Sequence, residues 1–291
     1  MPGPRGLLRV YAPYLGHTED RMINYIAVEP IVQGESWRSF SELEESVLDR
    51  EQGLRFWSAD APTAWSPRDP SRPSQGIVTI ESGVETLTVY VFVEAYRSGA
   101  CVMIRLRFRS DRPYEVGLAT FRRSGSKPLA NCILTATMGN FARLRTLHLA
   151  GGTRSSLTMW PGFSGDGFAE HRCFELADFV RTPSGDALFI ATPNESDPAN
   201  AEYAPGTFIG WHYYGEVATQ YWKREDPTSG LRGCVNARRT YWASVAEIPG
   251  GVSFENFELI EPFRPGTETW FGVIPGLWDS DAAIIQPMGT D

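Results

Sequence analysis

Lysine is almost missing from this chain. Only Lys127 and Lys223 occur, so nearly all positive charge is arginine. A Schiff-base or phosphate-cradling lysine has almost no candidates, and neither residue sits in a GxxxxGK[ST] context. Histidine is also scarce, at four residues. Cysteine is limited to Cys101, Cys132, Cys173 and Cys234, and no two form a CxxC pair. That removes support for a zinc knuckle or a thioredoxin-like motif. No stretch approaches the roughly 20 apolar residues that a membrane helix needs, so no membrane partner is expected. Acidic residues (35) outnumber Lys and Arg (27), giving a net charge of −8. A protein whose main task is to neutralise nucleic-acid phosphates would not look like this. GxSxG, HExxH and a GxGxxG after a strand are missing too. The start, MPGPRGLLRVYAPYLG, lacks a charged segment followed by a long apolar core, so a signal peptide is not expected. The expectation is a cytoplasmic chain with free thiols. Only removal of a leader would make it secreted, and two disulfides could then form.

What is present points to strands. Hydrophobic residues make up 42% of 291, enough for a sizeable core. Nine Trp, eleven Tyr and sixteen Phe accompany 28 Gly and 21 Pro, a mix that favours short strands and tight turns. In 84–94, Leu87, Val89, Val91 and Val93 alternate with polar residues. After a turn at 96–99, Val102, Ile104, Leu106 and Phe108 alternate with Met103, Arg105, Arg107 and Arg109. This predicts a hairpin with one dry and one wet face. Further strands are expected over 22–32, 114–121, 131–137, 142–149, 186–192, 211–223, 238–244, 252–261 and 268–274. Two short helices are expected. One follows the capping-box pair Ser41 and Glu44, with Leu43, Val47 and Leu48 as its stripe; the other covers 174–181. The Pro/Ser-rich stretch 59–76 reads as a surface loop. The expected architecture is all-β: one domain over 1–291, a large antiparallel β-sandwich of supersandwich or jelly-roll type.

Three segments could carry chemistry. In 211–222, alternation puts His212, Tyr214, Glu216, Gln220 and Trp222 on one face, with Tyr213 and Tyr221 on the other. An indole that stacks on a pyranose, beside groups that bond hydroxyls, is the equipment of a sugar site. In 254–263, Glu255 shares a face with Phe257 and Leu259, while Asn256 and Glu258 take the other. Desolvation should raise the Glu255 pKa toward the range of a general acid or base. In the glycine-rich loop 161–171, Asp166, Glu170 and His171 could hold a divalent metal; otherwise no cofactor is expected. Glu29 alternates with apolar residues in 22–32 and is a buried-acid candidate, most simply paired with an arginine. Arg105 and Arg107 could bind an anionic ligand or pair with neighbouring Glu residues.

The C-terminal pattern is Ser253-Phe-Glu255, a Pro265-Gly266 turn and a final strand Thr269-Trp-Phe-Gly-Val273. Over these roughly 25 residues the chain resembles galactose-mutarotase-like proteins. The resemblance implies a β-supersandwich with a C-terminal Glu as base and a His as acid on a concave sheet face. Glu255 falls on the motif position for the base; His171 and His212 are candidates for the acid by chemistry and order alone.

The leading expectation is a carbohydrate-active enzyme using general acid–base chemistry on a saccharide or oligosaccharide. It would be an epimerase or a glycoside-cleaving enzyme, with Glu255 as base, His212 or His171 as acid, and Trp222 and Tyr214 as platform. Hydrolysis would need a second acid, which Glu29, Glu216 or Glu258 could supply. One alternative is a polysaccharide lyase using Tyr213, Tyr214 or Tyr221 with a His, while Arg105 and Arg107 neutralise a uronate. Another is a non-catalytic sugar-binding protein. Association into a homo-oligomer is compatible with any of these.

Overall fold

The structure is a computed structural model that describes residues 8–12, 21–36, 38–63, 76–137, 143–194, 202–209, 212, 218–241 and 244–278. In chain order its strands are β1 (Leu8–Ala12), β2 (Arg21–Val32), β3 (Phe56–Ala59), β4 (Ile77–Glu81), β5 (Val84–Val93), β6 (Val102–Arg109), β7 (Arg112–Arg122), β8 (Leu129–Thr137) and β9 (Leu144–Leu149). There follow β10 (Gly152–Ser155), a single helical turn α1 (Ser156–Met159), β11 (Arg172–Glu175), β12 (Val180–Arg181), β13 (Ala187–Pro193), β14 (Ala218–Arg224), β15 (Arg232–Arg238), β16 (Ser253–Ile260) and β17 (Glu268–Pro275).

They form two antiparallel sheets. The smaller has the order β1-β2-β8-β16-β15-β11. The larger has the order β10-β9-β13-β14-β17-β7-β6-β5-β3, with β12 added on β13 and β4 on β5. Alternation explains the packing. Val91, Val93, Val102, Ile104 and Leu106 from the expected hairpin enter the core, as do Ile26, Val28, Leu134 and Ala136 from the smaller sheet. Phe189 of the larger sheet stacks on Phe257 of the smaller, with ring centroids 4.8 Å apart, and on Phe179 at 5.0 Å. The all-β sandwich read from the sequence is the fold found.

Several local expectations are corrected. Residues 41–53 form consecutive turns rather than a helix. The buried Glu94 accepts hydrogen bonds from Ser46 Oγ and from the backbone N–H groups of Val47, Leu48 and Arg55. A side chain thus takes donors that the local sequence would commit to a helix, and Leu43, Val47 and Leu48 stay exposed. Residues 174–181 begin as strand because β11 completes the edge of β15; one 3-10 turn follows at Leu176–Asp178. The strand expected at 238–244 lies earlier, at Arg232–Arg238. Gly233 on this strand faces the core, and a Cβ there would stand 2.7 Å from the Phe189 ring. The glycine makes room for the ring.

The outward face of the larger sheet has the same dependence on a missing side chain. Tyr221 pairs in register with Gly272. A methyl group at 272 would collide with the Tyr221 ring, whose hydroxyl donates to Glu115 at 2.7 Å. Gly272→Ala should therefore cost about 1–3 kcal/mol as overpacking. Urea denaturation should show most of that cost disappearing in a Tyr221→Ala background. An equal cost in both backgrounds would contradict the collision.

Candidate active site

The outward face of the smaller sheet concentrates buried polar groups. On this face Thr135 of β8 is the register partner of Glu258 on β16, Glu258 of Cys234 on β15, and Cys234 of Cys173 on β11. Glu29 on β2 and Asn236 on β15 share the face. Glu29, Glu258, Thr135 and Asn236 are all buried.

Two carboxylates cannot be buried together without compensation. Arg38, in the segment after β2, supplies it. Its Nε and Nη2 each donate to Glu29 at 2.7 Å. The same Nη2 donates to Glu258 Oε1 at 2.7 Å, and Nη1 to Oε2 at 3.3 Å. The Thr135 hydroxyl donates to Glu29 at 2.6 Å. His171 closes the group, its Nε2 lying 3.2 Å from Glu258 Oε1, with Arg38 Nη1 and Asn236 Nδ2 each 3.4 Å away. Solvent reaches the group through His171, whose side chain is 38% exposed against 1% for Glu258.

The environments of the two acids push them apart. Burial lifts Glu29 to about 7, against the opposing pull of Arg38 and the Thr135 hydroxyl. Burial also acts upward on Glu258, but hydrogen bonds and charge from His171 and Arg38 outweigh it and hold this carboxyl below its ordinary value. Glu258 has the imidazole as a second partner and Glu29 does not. Around neutral pH, then, Glu29 retains a proton for part of the time while Glu258 is ionised. An ionised Glu258 is best met by a proton on His171 Nε2, which assigns the lone pair of the neutral ring to Nδ1. Nδ1 makes no hydrogen bond among the described residues. An unshared nitrogen lone pair is thus oriented by a buried carboxylate on an imidazole open to solvent.

Only part of the expected constellation assembles. Glu255 is buried and raised to about 7 by desolvation, with Arg238 opposing, so the expected upward shift is found. No contact joins it to His171 or His212 among the described residues; the carboxylate–imidazole pair is made by Glu258 instead. Alternation over Phe257, Glu258 and Leu259 holds and turns Glu258 outward, while a register shift between Val235 and Ala237 interrupts it before Phe257, so that Phe254 also enters the core. The His212 ring stacks on Tyr203, centroids 3.9 Å apart. Tyr203 lines a separate cleft of about 540 Å³ with Trp160, Phe163, Arg239 and Glu247.

Trp222 is no platform. β14 lies inside the sheet between β13 and β17, and Trp222 is fully buried in the core with its indole N–H donating to the Phe257 carbonyl at 2.8 Å. Gln220 is equally buried. Tyr213, Tyr214 and Glu216 lie outside the described residues. Arg105 and Arg107 both pair with Glu268. Asp166, Glu170 and His171 do not converge. Asp166 pairs with Arg239 and His171 with Glu258, and among the described residues no group of three is arranged to hold a metal. The expected arginine partner of Glu29 is present, but Arg38 itself was missed: it follows a strand with no periodic pattern to mark it.

The free-thiol expectation is also corrected. Cys173 and Cys234 form a disulfide, while Cys101 and Cys132 are free. The two cysteines are 61 residues apart and meet only because β11 pairs with β15.

No family model matches the chain, and no curated protein matches it.

Loop-closure entropy sets the expected cost of removing the disulfide, as Cys173→Ser with Cys234→Ser, at about 4 kcal/mol, read by urea denaturation. A loss under about 1 kcal/mol would mean that the ladder holds β11 without it. Glu255 titrates higher in the folded chain than in the unfolded one, so its contribution to stability is full below about 4.5 and lost as pH rises through about 7. Glu255→Gln should therefore gain on the native protein across that window, by a difference on the order of 3 kcal/mol. A pH-independent difference would contradict the buried, uncharged carboxyl.

Proposed function

We propose that the protein is a carbohydrate-active enzyme that moves protons on a saccharide by general acid–base catalysis. The observation that carries this reading is the pair of buried acids on one guanidinium, Glu29 driven up and Glu258 held down, with a half-exposed imidazole fixed to the ionised one. Acids whose environments separate their pKa values are the usual signature of an acid and a base sharing a site.

In this reading His171 is the catalytic residue. Its Nδ1 takes a proton from a saccharide hydroxyl, and the imidazolium that forms is stabilised by Glu258, which acts as a positioning residue. Glu29 is the proton donor. For epimerisation at an anomeric centre, removal of the anomeric hydroxyl proton and donation to the ring oxygen break the carbon–oxygen ring bond, and reclosure on the other face returns both protons. Arg38 keeps the acids apart in charge and must turn aside for a sugar to reach Glu29. The resemblance to galactose-mutarotase-like proteins implies the opposite roles, a glutamate base and a histidine acid, and its matched residue Glu255 has no contact with His171 among the described residues, so this choice rests on the side chains of the group and not on the resemblance.

Glycoside cleavage is the second reading. Oxygens of Glu29 and Glu258 both lie 2.7 Å from one Arg38 nitrogen, which suits the close carboxyl spacing of retaining enzymes more than the wider inverting one. The lyase reading loses support, because Arg105 and Arg107 are already held by Glu268.

Polarimetry on freshly dissolved aldoses and reducing-sugar release from oligosaccharides separate epimerase from hydrolase. His171→Ala is expected to lower kcat about 10²–10⁴-fold. Glu258→Gln should lower kcat and also displace the pH profile, which loss of packing alone would not do. Sugar binding with no turnover in the native protein would instead support a binding protein. Full activity in His171→Ala would remove the mechanism.

A further inference from the structure

We propose a second small-molecule site on the outward face of the larger sheet, taking an uncharged, ring-bearing ligand with one hydrogen-bond acceptor. It lies on the opposite side of the sandwich from His171 and Glu258 and stands whether or not that site is catalytic.

A cavity of about 620 Å³ opens there, within the range of roughly 300–1,000 Å³ typical of small-molecule sites. Its floor is apolar. Leu188 is buried, and Val180 and Trp278 pack against the cluster it forms with Ile190 and Tyr221. Three basic side chains line the same space: Lys223, His148 and, exposed at its rim, Arg181. Lys223 is nearly buried, and its ammonium donates to both oxygens of Glu115, at 2.6 and 2.9 Å. Its charge is therefore cancelled, yet an ammonium has three donors, and one remains for a ligand. Burial depresses the His148 pKa, so this ring is uncharged near neutral pH; its Nε2 lies 2.8 Å from Thr192 Oγ1.

These features select the ligand class. An anion would find the floor's cation, Lys223, already paired with Glu115, and only Arg181 at the rim, exposed to water that screens it. A cation would meet Lys223. Thr182, Ser184 and Asp186 could bond hydroxyls at the rim, but a sugar reaching the floor would press its other hydroxyls against Leu188 and Val180. A neutral ring that lies on Trp278 and turns one acceptor toward Lys223 leaves no group unsatisfied.

The test titrates 2-naphthol into the full-length protein and follows its fluorescence polarisation, with 2-naphthoate as the charged control. Saturable binding of 2-naphthol is expected, with 2-naphthoate about tenfold weaker or more. Thr153 is exposed on β10 and lines the cavity, so Thr153→Trp should fill the space and weaken binding about tenfold, leaving any activity at His171 unchanged. Trp278→Ala supplies the same comparison by removing the stacking surface, should the first variant not fold. Absence of saturable binding up to the solubility limit, or unchanged affinity in the folded variant, overturns the site. Equal affinity for 2-naphthoate overturns the ligand class.

Discussion

One guanidinium shared between two buried carboxylates is the constraint on which the functional account depends. Arg38 donates to Glu29 and to Glu258 from the same nitrogen. Without it, two acids on the outward face of one sheet would have to be buried beside each other with less compensating charge, a cost of several kcal/mol per ion. With it, the pair is tolerated but not symmetrical. Glu258 gains the imidazole of His171 and stays ionised; Glu29 gains only the Thr135 hydroxyl and is lifted by burial. The difference between the two acids comes from their partners, since both are almost fully removed from water.

The sandwich supplies the rigidity this arrangement needs. Glu29, Thr135, Glu258 and Asn236 come from four neighbouring strands of one sheet, so the ladder fixes their relative positions. Behind them, Phe189, Phe257 and Phe179 stack across the core and resist sliding of the sheets. His171 precedes the short edge strand β11, which the Cys173–Cys234 bridge ties to β15 beside Glu258. That edge strand pairs on one side only, with β15, and it is the part cross-linked.

Much of the fold was legible because period-two alternation is a direct record of burial. The 84–109 hairpin could be read strand by strand for that reason. It failed where a long-range effect decided the outcome. Gly233 is a core residue only because Phe189 lies opposite it, and the turns at 41–53 exist because Glu94, far along the chain, takes their N–H groups. The site was legible in its acids: Glu29 and Glu258 stand among apolar neighbours on strands, and His171 ends a glycine-rich loop. Their assembly was not. Alternation put Glu258 on the face away from Phe257, but the C-terminal motif match favoured Glu255 as the base, and nothing local marks Arg38 as the group between Glu29 and Glu258. Trp222 misled because an indole on a polar-looking strand reads as a platform until that strand proves to be interior.

The central claim is that the two acids titrate apart. The most direct measurement is carboxyl carbon-13 NMR of glutamate-labelled protein across pH 3 to 9 (a range chosen to bracket ordinary carboxylates), with Glu29→Gln and Glu258→Gln used to assign the signals. The account predicts one carboxyl, missing in Glu29→Gln, that titrates near 7. A second, missing in Glu258→Gln, should titrate below the ordinary glutamate value. Two carboxyls that both titrate as ordinary surface glutamates would contradict it.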